Sequence, residues 1–65
     1  MELRTQNSVY KLDLVSRTVT GGIFNEAKAY DSVHFLLGAP AVFFMLNGDI
    51  VTTSTVQNIN VGNIA

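Results

Sequence analysis

The chain has 65 residues, 48% of them apolar, with no cysteine, one histidine, and four basic against five acidic side chains for a net charge of −1. That composition excludes a disulfide framework, a thiolate metal site and a multi-histidine site within one chain. It also leaves no basic patch for a phosphate backbone and argues against disorder. One small domain spanning 1–65 is expected, of a size that buries only about 60% of its unfolded surface and so depends on tight packing or a partner chain.

Residues 3–6 read as a short first strand. Residues 8–14 alternate, with Tyr10, Leu12 and Leu14 on one side and Ser8, Lys11 and Asp13 on or near the other, Val9 among them, the period of a strand with one buried face. Val15-Ser16-Arg17 predicts a tight connection, and the β-branched Thr18-Val19-Thr20 its return strand. Gly21-Gly22 ends that strand, because glycine accepts backbone angles that other residues resist. Residues 23–37 admit two readings. In one, Asn25 caps a helix in which Ala27, Tyr30, Val33 or His34, and Leu37 recur at helical spacing, with Gly38 as the stop. In the other, preferred because the flanking chain is strand-like, a loop runs to about Asp31. A strand follows it, with Val33, Phe35 and Leu37 sharing a face.

Pro40 suits the first position of a strand. Residues 42–46 form a continuous apolar strand, and Asn47-Gly48 is a strong hairpin signal that predicts a type I′ turn. Residues 49–53 return beside it. Ile50 then shares parity with Val56, and Val51 with Ile59, so one unbroken strand would expose two of the four. A tight turn at 54–57, capped by the Ser54 side chain, is expected to resolve the conflict. A last strand at 58–61 and a frayed tail at 62–65 complete the chain. The sum is an all-β fold of five or six short strands, a small SH3-like barrel with a 3₁₀ turn before the last strand. The alternative is an α+β fold with one helix at about 25–37.

Thr5-Gln6-Asn7-Ser8-Val9-Tyr10 near the start and Thr53-Ser54-Thr55-Val56 near the end frame two further short motifs. These are Tyr30-Asp31-Ser32-Val33 and Gly38-Ala39-Pro40-Ala41-Val42-Phe43. Together they resemble short uncharacterised bacterial or phage proteins that open with a T-x-N-S-x-Y stretch and close with a T-S-x-V stretch. The resemblance implies no particular activity and favours the all-β layout.

Asp31, Ser32 and His34 bring triad residue types together, but a triad needs a relay set by tertiary geometry, and no nucleophile-elbow pattern accompanies them. Gly21-Gly22 lacks the Gly-Lys-Ser/Thr of a phosphate loop. Residues 52–55 are better read as β-formers with a local cap than as a hydroxyl-lined site, and Asn7-Ser8 as a turn entering a strand. Tyr10, Phe24, Tyr30, Phe35, Phe43 and Phe44 could stack on bases if exposed, as in small single-strand-binding barrels, yet the sparse basic residues count against nucleic acid. No carboxylate pair is set for acid–base work. A non-enzyme without cofactor or metal is expected.

Residues 33–46 form the longest apolar stretch. As a helix it would cover about 21 Å, short of an ~30 Å bilayer core, and it contains His34, Gly38 and Pro40, so no membrane association is expected. The first residues lack the form of a signal peptide, and the absence of cysteine agrees with a cytoplasmic location.

The stretch 42–46 carries the functional expectation. Val42, Phe44 and Leu46 point one way, Phe43 and Met45 the other. One set fills a barrel; the second needs a cover. Leaving Phe43 and Met45 in water would forgo roughly 1.5–3 kcal/mol each. A homo-oligomer, most simply a two-fold dimer, is therefore expected, with Phe43 and Met45 at or next to the interface. The functional expectation is a self-associating interaction module that binds a protein partner. Alternatives are a small nucleic-acid-binding barrel and a small-ligand binder with its site between subunits.

Overall fold

A computed structural model describes residues 1–61, so the tail expected at 62–65 lies outside the described residues. Six strands follow in order: β1 (Glu2–Thr5), β2 (Val9–Asp13), β3 (Thr18–Gly21), β4 (Phe24–His34), β5 (Pro40–Met45) and β6 (Ile50–Asn60). Each pairs antiparallel with the next, and β6 returns to β1 to close a barrel. The all-β class holds, and the layout agrees with a small SH3-like barrel. The helix weighed for 25–37 is not formed: the segment is mostly β4.

β4 and β6 have 11 residues each and serve both halves of the barrel. β4 pairs with β3 through Ala29 and with β5 from Tyr30 onward. β6 pairs with β5 through Thr55 and with β1 from Val56 onward. A strand that changes neighbours must turn a corner, and bulges make corners. In β4, Tyr30 and Ser32 lie opposite the adjacent residues Met45 and Phe44, so Asp31 is extra. In β6, Thr52 and Thr55 lie opposite Val42 and Pro40, and Val56 and Asn58 opposite Thr5 and Arg4. Each extra residue reverses the alternation.

Those reversals settle the parity conflict seen in the sequence. Val56 is fully buried, Val51 and Ile59 pack against the core, and Ile50 alone of the four is left exposed. The 3₁₀ turn expected at 54–57 is absent, because two bulges within one continuous strand achieve the same change of face. The Ala41 N–H, opposite the first bulge, donates to Thr53 Oγ1 at 3.0 Å, and that hydroxyl donates to the Ser54 carbonyl at 2.7 Å. The cap assigned to Ser54 is thus supplied by Thr53, whose side chain points inward.

Phe43 is the hub of the core. The rings of Tyr10, Phe24 and Tyr30 lie 6.1, 5.7 and 5.9 Å from it, the latter two edge-on, within the range where aromatic pairs attract. Leu3, Leu12, Val19, Ala41, Met45 and Val56 fill the rest of the barrel.

The turns explain the remaining departures. β2 ends at Asp13, whose carboxylate accepts the N–H groups of Val15 and Ser16 at 2.9 and 3.1 Å. Leu14 therefore sits exposed in the turn rather than beside Tyr10 and Leu12. At the β3–β4 turn a Cβ on Gly22 would strike the Tyr10 ring, so the glycine lets the ring close that end of the barrel. β4 starts at Phe24, earlier than the expected strand, and ends at His34, before the predicted Leu37. After β5, Asn47-Gly48 does form a hairpin, but only Gly48 has positive φ, at 95°. Gly48 N–H donates to the Met45 carbonyl at 3.0 Å and Met45 N–H to the Asp49 carbonyl at 2.8 Å. That is a three-residue loop with glycine in the left-handed position rather than a type I′ turn. The Asn47 side chain fixes it by accepting the Asp49 N–H at 2.9 Å.

Candidate functional site

The register of β4, β5 and β6 assigns every side chain on this half of the barrel to a face. Val33, Phe43 and Val51 lie in one cross-strand row that turns inward. Ser32, Phe44 and Ile50 form an outward row, and His34, Val42 and Thr52 a second one. Phe43 and Met45, expected at an interface, are inside the barrel, 0% and 8% exposed. The physical reason is the parity set by the bulge at Asp31, which brings Met45 beside the inward Tyr30. The side of β5 turned outward is Val42 and Phe44, with Leu46 in the turn just beyond it.

That outward face has an apolar centre and carries no Asp, Glu, Lys or Arg in its two rows. Val42 and Phe44 are half-buried, while Leu46 is 66% and Ile50 64% exposed. His34 lies edge-on to Phe44, ring centroids 5.5 Å apart at 87°. Ser32, His34 and Thr52 add polar groups to it. Asp31 is exposed at the bulge, and no side-chain hydrogen bond joins Asp31, Ser32 and His34, so the triad residue types do not assemble. Of the six aromatic residues, Tyr10, Phe24, Tyr30 and Phe43 are in the core, Phe35 packs against it, and Phe44 alone forms part of the outward sheet face.

A cleft of about 340 Å³ opens at one end of the barrel, between the first half of β4 and the β5–β6 turn. Phe24, Met45 and Val51 form its floor, and Lys28, Asn47 and Asp49 stand on its rim with Leu46. Lys28 Nζ meets Glu26 Oε1 at 3.3 Å, with both side chains largely in solvent, an arrangement that adds little stability. Among the described residues no group of three or more His, Cys, Asp or Glu is placed to hold a metal ion, and no helix is long and apolar enough to cross a membrane.

Among the described residues two titrations are shifted, that of Asp13 at the β2–β3 turn and that of Tyr30 in β4 beside it. The N–H groups of Ser16 and Val15 hold the Asp13 carboxyl below its usual range. Burial, then the nearby Asp13 charge, raises the Tyr30 phenol. Tyr30 Oη reaches the Asp13 carbonyl at 3.5 Å, so both groups belong to the turn's architecture and neither faces the apolar surface. Sequence reasoning found that β5 is apolar on both sides but reversed its faces. The signal that could have set them is Ala41, which shares parity with Phe43 and Met45 and suits a crowded interior. No protein-family model matches the chain, and no curated protein or solved structure matches it either.

Proposed function

We propose that this protein is a non-catalytic interaction module that associates with a second copy of itself and binds a protein partner. The observation that carries the reading is the outward side of β5, where Phe44 and Val42 are half-buried beside exposed Ile50, with exposed Leu46 in the turn that follows. Covering side chains of this size is worth roughly 1.5–3 kcal/mol each if burial is complete, a large share of what stabilises a small domain. A face without Asp, Glu, Lys or Arg in its rows sets no carboxylate or lysine against its own copy, and a two-fold dimer is the simplest closed solution. Association runs face to face, since the β5 edges are already paired with β4 and β6.

Separation of Asp31, Ser32 and His34 supports the non-catalytic part of the reading. Four aromatic rings locked in the core leave little for base stacking, which weighs against the nucleic-acid alternative. We assign the protein to the cytoplasm, where a chain lacking cysteine is at no disadvantage. Light scattering of the purified protein across a concentration series tests the proposal. A dimer that Phe44→Glu converts to a folded monomer is the expected result. A wild-type protein that stays monomeric at millimolar concentration overturns self-association.

A further inference from the structure

The ring of paired strands is uncovered at one corner. β5 pairs with β4 only from Tyr30 onward, and the turn after β5 reaches no further than Ala29, whose carbonyl accepts the Leu46 N–H at 3.3 Å. Among the described residues, the 24–28 half of β4 therefore has a strand on one side only, β3, which it meets at Phe24 and Lys28 around a register shift, and 25–28 are all exposed. Beside this half-strand opens the cleft floored by Phe24, Met45 and Val51. An uncovered edge offers main-chain donors and acceptors to an incoming strand. A pocket alongside gives such a strand a place for every second side chain.

The charges define what fits. β4 bulges against β3 between Phe24 and Lys28, yet Lys28 stands on the cleft rim and its Nζ meets Glu26 Oε1 at 3.3 Å, so both side chains lie toward the barrel mouth. Glu26 and Asp49 outnumber Lys28 there. In antiparallel pairing, the incoming residue opposite Lys28 faces the cleft and the residue two further on faces Glu26. We propose that this corner accepts an extended segment of a protein partner as an added antiparallel strand. A bulky apolar side chain enters the cleft, and a basic side chain two residues later meets Glu26. The inference rests on the protein-partner half of the reading above and names the chemistry of that partner.

A second copy of the chain fits the corner less well. A two-fold pairing of β4 with β4 would run each strand into the other copy's β5–β6 turn, which already occupies Ala29. The register centred on Glu26, which would keep clear of Ala29, sets two Glu26 carboxylates directly opposite each other, a destabilising like-charge pair. A slender segment meets that turn at one end only and can run the length of 24–28.

The test uses the isotope-labelled full chain and a capped synthetic hexapeptide, threonine throughout except for leucine at its third position and lysine at its fifth. Titration followed by amide NMR should shift the signals of residues 24–29 and of Leu46. Two peptide controls should bind several-fold more weakly: one with the lysine replaced by glutamate, one N-methylated at the amides that face β4. Glu26→Lys should reverse the preference between the lysine and glutamate peptides without altering the rest of the spectrum. No shift at millimolar peptide, or shifts confined to Val42, Phe44 and Ile50, overturns the proposal. So do β4 shifts that grow with protein concentration in the absence of peptide, which would make a second copy the occupant. A protein that is monomeric by light scattering yet binds the peptide at β4 refutes self-association and leaves this inference standing.

Discussion

Phe43 and Phe44 are adjacent and chemically identical, yet they belong to different environments. Phe43 points inward, fully buried and ringed by Tyr10, Phe24 and Tyr30. Phe44 points outward, half-covered, with His34 against its edge and Ile50 opposite it in the next strand. The inner side of β5 is specified by packing, because closing the barrel leaves one shape to fill. The outer side has no internal partner to specify it, so its apolar character is unexplained by folding alone. One side of the strand serves the fold, and the other is open to association.

The sharpest way to break that comparison is to truncate the two rings separately. Phe43→Ala should cost about 3–5 kcal/mol, against a total of about 5 kcal/mol for a domain at the low end of the usual range. Circular dichroism in a urea series should find it unfolded or nearly so. Phe44→Glu should keep a cooperative urea transition, at a midpoint lowered by the loss of association, while the light-scattering mass falls. If Phe44→Glu unfolds the chain and Phe43→Ala does not, the assignment of the two sides is wrong.

A second contrast lies on β6. Thr53→Val removes the hydroxyl that receives the Ala41 N–H and strands a buried donor, at a cost of about 1–3 kcal/mol. Thr52→Val, on the exposed outer row, should change stability by no more than about 0.5 kcal/mol. Equal urea midpoints for the two variants would remove the bulge-capping role of Thr53.

The smallest effects are in pH. Asp13 has a folded pKa below its ordinary 3.8, so its contribution is present above that value and is lost as the pH falls through the folded pKa. Tyr30 has a folded pKa above its ordinary 10.0, so its contribution is present below pH 10.0 and declines as the pH rises toward the folded value. Thermal melts should weaken slightly at both extremes. Asp13→Ala should flatten the acid limb and Tyr30→Phe the alkaline one, each relative to its own value at neutral pH. An unchanged acid limb in Asp13→Ala assigns that sensitivity to other carboxylates.

The strand pattern of this molecule was legible where side chains alternate. Tyr10 and Leu12 announced β2, and Asn47-Gly48 announced the final hairpin. β4 was hidden because residues 25–29 run past the end of their β5 neighbour, so both faces are exposed and no alternation survives. The continuous β6 was hidden for the opposite reason. Its parity errors are real, but the chain absorbs them by bulging inside a strand rather than by leaving it. The candidate site followed the same logic. That β5 is apolar on both sides can be seen in five consecutive letters. Which side faces in depends on Asp31, an extra residue whose effect appears only once β4 and β5 are paired.

Five of the six strand pairings join neighbours in the chain, and only β1 with β6 joins distant residues, Glu2 opposite Asn60 and Thr5 opposite Val56. Single hairpins form in about 1–10 μs, whereas bringing distant segments together exacts a loop entropy before any contact rewards it. The cylinder is therefore a ribbon with one clasp. The clasp should fasten last and slip first, so backbone amides along Leu3 and Ile59 should exchange with solvent sooner than those flanking Phe43, through partial openings that leave the aromatic centre intact.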